Sequence, residues 1–244
     1  MEKFVKVIQM MLSGVVSKCK KEKVLDRDYK SKHQMAVEKL QGHSSLSTLE
    51  NLMHMCEGKE DNETYIRFVT TAIANKRKWD LVTATLRHGQ DGAPMYNVLN
   101  YLFSGSWDLF FAIDLTCKET KEIDLSKDPI LPWPWAESRV EDRLEYFSDD
   151  EIHWRQDTNH QAIYFPEIGV TFVESGNHSI ALGIIKGEGK LMARVGSLAK
   201  VFELIERVED KIKVNGKFFP IADFEMTAVL LLAQKLHRAK FRSE

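Results

Sequence analysis

The densest run of chemically able residues in this chain is Glu174-Ser175-Gly176-Asn177-His178-Ser179. It lies between the apolar stretch Val170-Thr171-Phe172-Val173 and the small apolar pair Ile180-Ala181. That order reads as a strand, a glycine turn and the start of a helix. The first N–H groups of such a helix have no partner inside it and carry the positive end of the helix dipole. Gly176 permits the close backbone approach that an anion needs, and Asn177, His178 and Ser179 add side-chain donors. The chemistry is that of a phosphate or carboxylate cradle. The same residues also satisfy a plainer reading, in which Gly176-Asn177 is an ordinary turn and Ser179 only caps the helix.

Asn159-His160 precedes a second apolar run, 162–164. Paired with 170–173 through the turn Pro166-Glu167-Ile168-Gly169, that run makes a hairpin. The strand register decides whether His160 joins His178. Two histidines beside Glu174 or Glu151 would act as acid and base near neutral pH, or bind a metal. No short ligand spacing supports a metal, so none is assigned. The catalytic candidates are therefore His178, His160 and Glu174, and the ligand-binding candidates Asn159, Gly176, Asn177 and Ser179. The residues name no cofactor and leave open whether the protein is an enzyme. Signatures of P-loop NTPases, nucleophile-elbow hydrolases, HExxH zinc proteases and GxGxxG dinucleotide binders are absent.

A strand followed by Gly176-Asn177-His178 and a helix resembles the phosphate-binding corner of the ParB/sulfiredoxin superfamily, in which Gly-x-His-Arg opens the helix. That family contains nucleotide-dependent enzymes and DNA-partitioning proteins. The resemblance covers about 15 residues and implies a nucleotide or phosphorylated ligand near Gly176, Asn177 and His178. Ser179 stands where the pattern has arginine, so the bidentate phosphate grip is missing from that position. Over residues 128–205, Pro132-Trp133-Pro134-Trp135, Trp154, Asn159-His160, Tyr164, Pro166 and Gly176-Asn177-His178-Ser179-Ile180 resemble an uncharacterised bacterial domain-of-unknown-function family. That second resemblance brings no known activity.

The elements that must position these residues form an α+β chain: a helical N-terminal region, 1–104, then a small mixed sheet with flanking helices, 105–244. Helical spacing of apolar residues recurs in 4–16, 29–40, 64–79, 81–86 and 96–103. Ser47 and Glu50 suggest a capping box before Leu52 and Met53. The aromatic run 108–115 suits a buried strand, and the charged stretch 118–128 followed by Pro129, Pro132 and Pro134 suits a loop. Helices are expected over 135–147, 179–185 and 223–241, a strand over 191–195, and a second hairpin around Asn215-Gly216. Residues 202–208 fit either a helix or a strand.

With 34 basic and 36 acidic side chains the formal charge is −2, which argues against a surface given over to nucleic acid or membrane. The longest purely apolar run, 228–233, is far too short to span a bilayer. Residues 1–12 mix charges with apolar positions, so no signal peptide is read, and three widely spaced cysteines fit reduced thiols in the cytoplasm. Residues 118–157 hold 6 basic and 12 acidic side chains, which disfavours a nucleic-acid phosphate track beside Trp133, Trp135 and Trp154. The expected function is a bacterial cytoplasmic protein binding a nucleotide or phosphorylated small molecule. One alternative is a non-catalytic regulatory or interaction protein with a protein partner, of the kind carried on mobile elements or in phage defence. Another is a nucleic-acid-processing protein using the corner together with the basic ends, Lys18-Cys19-Lys20-Lys21 and the tail Lys235, His237, Arg238, Lys240 and Arg242.

Overall fold

Alternation of side chains along two central strands sets the architecture. The structure, a computed structural model, describes residues 45–59, 62–89, 106–149 and 151–242. In β3 (Gln161–Phe165) and β4 (Val170–Ser175), Ile163, Phe165, Val170 and Phe172 face one core, while Ala162 and Val173 face a second. Successive residues of a strand point to opposite faces, so both faces of the sheet must be covered. The expected hairpin forms, with Ile163 opposite Phe172 and Phe165 opposite Val170. A bulge between Gln161 and Ala162 shifts the register at the end of the hairpin that carries His160.

Three further strands complete the sheet in the order β1-β5-β3-β4-β2, with β1 at Thr120–Asp124, β2 at Ile130–Leu131 and β5 at Lys190–Val195. The β1–β5 pair is antiparallel, whereas β3–β5 and β2–β4 are parallel. This is the mixed sheet expected from the sequence. β1 corrects the reading of 118–128 as loop. Only Ile123 of this edge strand is buried, and Lys190 meets Glu122 across the pair at 2.6 Å, so its charges remain solvated.

One face of the sheet packs against α5 (Asn177–Lys186), through Ile180, Ala181 and Ile184. The other core is shared with α1 (Leu46–Met55), α2 (Glu63–His88), α6 (Ala199–Leu204) and α7 (Phe224–Arg242). Six consecutive residues of α7, 228–233, are buried, as befits a helix enclosed on all sides. Residues 202–208 divide between α6 and β6 (Ile205–Val208), which joins β7 (Lys211–Val214) and β8 (Lys217–Pro220) in a second, antiparallel sheet. Its β7–β8 turn has positive φ at Asn215 (49°) and Gly216 (78°), as the Asn-Gly pair predicts.

Other expectations shift by local physics. The aromatic run 108–115 begins as a helix, α3 (Trp107–Ala112), followed by a single bridge from Asp114 to Ser197. Leu109 is buried and Phe111 exposed, a one-sided burial that a short apolar run does not reveal by periodicity alone. The capping box of α1 is Ser45 with Thr48, two residues before the expected one. The two helices expected over 64–79 and 81–86 are one, α2, capped by the Asn62 side chain. The helices expected over 4–16, 29–40 and 96–103, and the boundary near residue 105, lie outside the described residues.

Where α2 crosses the start of α7, Arg77 and Asp223, both buried, approach to 2.9 Å. Asp223 also accepts the Met226 N–H at 2.9 Å, capping α7. Removing one partner of a buried ion pair leaves the other charge uncompensated. Asp223→Ala should therefore cost about 3–5 kcal/mol in urea unfolding, far more than a helix cap alone.

Candidate functional site

The corner after β4 is built around Gly176. Its backbone is left-handed, φ 78° and ψ 19°, and α5 begins at the next residue. A Cβ here would collide with the His160 ring edge and lie 3.1 Å from both the Asn159 carbonyl oxygen and His160 Cα. Glycine thus serves twice, admitting the positive φ and letting His160 sit against the corner. The hairpin register, with its bulge beside His160, brings the Asn159-His160 pair to Gly176-Asn177-His178.

Buried side chains around the corner are tied to backbone. Asn177 Oδ1 accepts the Trp133 N–H at 2.8 Å, and His178 Nε2 accepts the Ala136 N–H at 3.2 Å. Prolines leave the 129–136 segment few N–H groups, and these are two of them. From the other side, Thr85 Oγ1 donates to the Pro134 carbonyl at 2.8 Å and Lys78 Nζ to that of Asp128 at 3.0 Å. Asp157 N–H donates to His160 Nδ1 at 2.9 Å. Trp154 Nε1 donates to the Ser179 carbonyl at 2.9 Å and to Ser179 Oγ at 3.1 Å. The Trp154 ring occupies space kept clear by Gly183 and Gly189, where added Cβ atoms would come within 2.8 and 2.5 Å of it. It also lies against His160, with ring centroids 4.9 Å apart.

The segment 133–136 leads into α4 (Glu137–Phe147), which turns Val140, Leu144 and Phe147 toward the protein interior. Arg139, Asp142, Arg143 and Tyr146, on the opposite face at helical spacing, line a cavity of about 640 Å3. All seven candidates line it too: Asn159, His160, Glu174, Gly176, Asn177, His178 and Ser179. Trp133, Trp135, Asp157 and Ser175 complete the wall; the Arg139 guanidinium lies 5.0 Å from the Trp135 ring centre and that of Arg143 6.0 Å from that of Tyr146. Glu174 is held by Arg194 at 2.7 Å. Arg139 and Arg143 were missed in the sequence because the helix carries charges of both signs on most faces. Their i, i+4 spacing was the available signal.

Both histidines are held below the ordinary value of 6.5. For His178 burial is the main cause, followed by the charges of Arg139 and Arg143. For His160 burial again dominates and Arg143 adds to it, against the pull of Asp157. Neutral rings are also what the hydrogen bonds require, since each accepts a backbone N–H at one nitrogen. A reading of both as acid–base groups must therefore break a backbone bond before either engaged nitrogen takes a proton.

Fold and site together define an α+β protein with a mixed five-stranded sheet and a polar, aromatic-walled cavity at a strand-to-helix corner. The chain belongs to a family of unknown function, DUF6710, whose model matches residues 21–223. The domain-of-unknown-function resemblance seen over 128–205 lies within that span. No curated protein and no solved structure matches the chain. Among the described residues, no group of three His, Cys, Asp or Glu side chains is placed to hold a metal ion. Nor is any helix there long and apolar enough to cross a membrane.

Two measurements check this geometry. Gly176→Val places a branched side chain at positive φ and against His160, and should destabilise the protein by about 2 kcal/mol or more in urea melts. The histidines set a pH dependence. With native pKa values below the unfolded 6.5, the unfolded chain binds more protons in the interval between them. Their contribution is fully present above pH 6.5 and is lost as pH falls through the lowered native values. Urea stability should drop between pH 7.5 and 5, and the double variant His160→Gln/His178→Gln should show a shallower drop.

Proposed function

We propose that this protein binds a phosphate-bearing ligand, a nucleotide or other phosphorylated small molecule, in the cavity between α4 and the β4–α5 corner. The observation that carries this reading is the convergence of two anion-seeking features on one space. The first turn of α5 has no side-chain cap, and the residues that carry its N–H groups line the same cavity as Arg139 and Arg143. A volume of about 640 Å3 suits a small molecule. The resemblance of Gly176-Asn177-His178 to the ParB/sulfiredoxin phosphate corner carries the same expectation, with α4 supplying the guanidinium groups that Ser179 does not. Binding rather than turnover is the reading, because both histidines already spend a ring nitrogen on backbone.

The regulatory or interaction reading has its own support: Asn177 and His178 serve as ties for the 133–136 segment, a structural task that needs no ligand. The nucleic-acid reading has less. Lys240 is paired with Glu63 at 2.8 Å and Arg238 reaches the Phe202 carbonyl at 3.4 Å, which diverts two cations of the tail.

Calorimetry with inorganic phosphate, AMP, ADP, ATP and GTP separates these readings. Arg139→Gln/Arg143→Gln, at exposed positions, should weaken binding at least about tenfold, some 1.4 kcal/mol, with little change in melting temperature. Failure of every one of these anions to bind the wild-type protein would overturn the proposal.

A further inference from the structure

Three buried side chains at the corner have an acceptor atom already engaged by a backbone N–H. Asn177, 5% exposed, gives Oδ1 to the Trp133 N–H. His178 gives Nε2 to the Ala136 N–H, and His160, 6% exposed, gives Nδ1 to the Asp157 N–H. The Asp157 carboxylate lies 3.3 Å from the same His160 nitrogen, but the 2.9 Å backbone bond needs a lone pair there. These bonds settle orientations that composition leaves open. Asn177 must present its NH2 group, His178 an Nδ1–H and His160 an Nε2–H. None of these donors meets an acceptor among the described residues. The His160 edge bearing Nε2 is the one set against Gly176. Beside them stand the uncapped N–H groups of the ten-residue helix α5.

We infer that this corner is a donor-only subsite, selective for a fully ionised oxyanion such as a phosphoryl or sulfuryl group, and that Asn177 is its specificity-determining residue. The inference rests on the phosphate-binding reading above and narrows it to the form of the group bound. An anion whose oxygens only accept satisfies every donor. A group that turns an O–H or N–H toward these three side chains finds their acceptor atoms already taken, and an unmet buried polar group is costly. Of the carboxylates that line the cavity, Glu174 is bound to Arg194 and Asp157 Oδ1 accepts the Asn159 N–H at 2.7 Å, while Asp142 belongs to the α4 wall and not to the corner.

Asn177→Asp tests this, because a carboxylate keeps an oxygen for the Trp133 N–H while replacing the NH2 donors with a negative oxygen. Calorimetry at pH 8 with sulfate, AMP and inorganic phosphate, which turns its one remaining O–H away from the corner, should show phosphate and sulfate binding the wild-type protein within about threefold of each other. The variant should melt within about 2 °C of wild type and lose at least tenfold in affinity for all three anions. Tighter binding of AMP marks a phosphomonoester as the source of the anion, and equal binding marks the free ion; both support the inference. Equal affinities in variant and wild type overturn it while leaving the phosphate-binding reading intact. Failure of phosphate, sulfate and AMP to bind wild type defeats that reading itself. Should the variant not fold, nitrogen-15 NMR of the wild-type histidines decides. His178 must carry its proton on Nδ1 and His160 on Nε2, and the opposite tautomer at either overturns the inference.

Discussion

The two hydrogen bonds from the 133–136 backbone to Asn177 and His178 are the constraint on which the rest of the site depends. They join the first turn of α5 to a proline-rich segment that has few other ways to satisfy its N–H groups. That segment carries Trp133 and Trp135 and delivers the chain to α4, hence to Arg139, Arg143 and Tyr146. Thr85 holds it from α2 at the Pro134 carbonyl, and Lys78 of the same helix holds the chain just upstream at Asp128, so the segment is gripped between two helices. Loosening the ties would move two walls of the cavity at once.

The same bonds shape the electrostatics. A histidine that accepts a backbone N–H is stabilised in its neutral form, and burial beside arginines works in the same direction. The cavity therefore keeps the guanidinium charges of α4 without adding imidazolium charge to them. Glu174, the carboxylate nearest the corner in sequence, is neutralised by Arg194 across the sheet. The formal charge of the surrounding residues 118–157 is negative, yet the face of α4 turned to the cavity presents two cations and one anion. Local geometry outweighs the average over the segment.

Packing explains why the corner tolerates so little change. Trp154 fills space left by two glycines on and just beyond α5, ties Ser179 through its indole N–H, and lies against His160. One side chain thus sets the distance between the helix and the ring that borders Gly176. Interiors packed this closely transmit displacement rather than absorb it.

Much of this was readable from residue types. The β3–β4 hairpin, the strand-glycine-helix corner, the Asn215-Gly216 turn and the long C-terminal helix follow from periodicity and turn chemistry, which act over a few neighbours. The α+β class follows from their order. What sequence misread was decided at a distance. Strand β1 is charged and forms because β5 offers it an edge, and α3 is a helix despite an aromatic composition that suits a strand. The clustering of all seven candidate residues depended on strand register and a bulge, and the contribution of α4 depended on where the 133–136 segment is pinned. Sequence determined which groups could bind an anion, because donor chemistry belongs to the residue. Only the tertiary structure decided which atoms of Asn177, His178 and His160 remain to do so, because their other atoms are claimed by backbone from loops that spacing alone does not bring near.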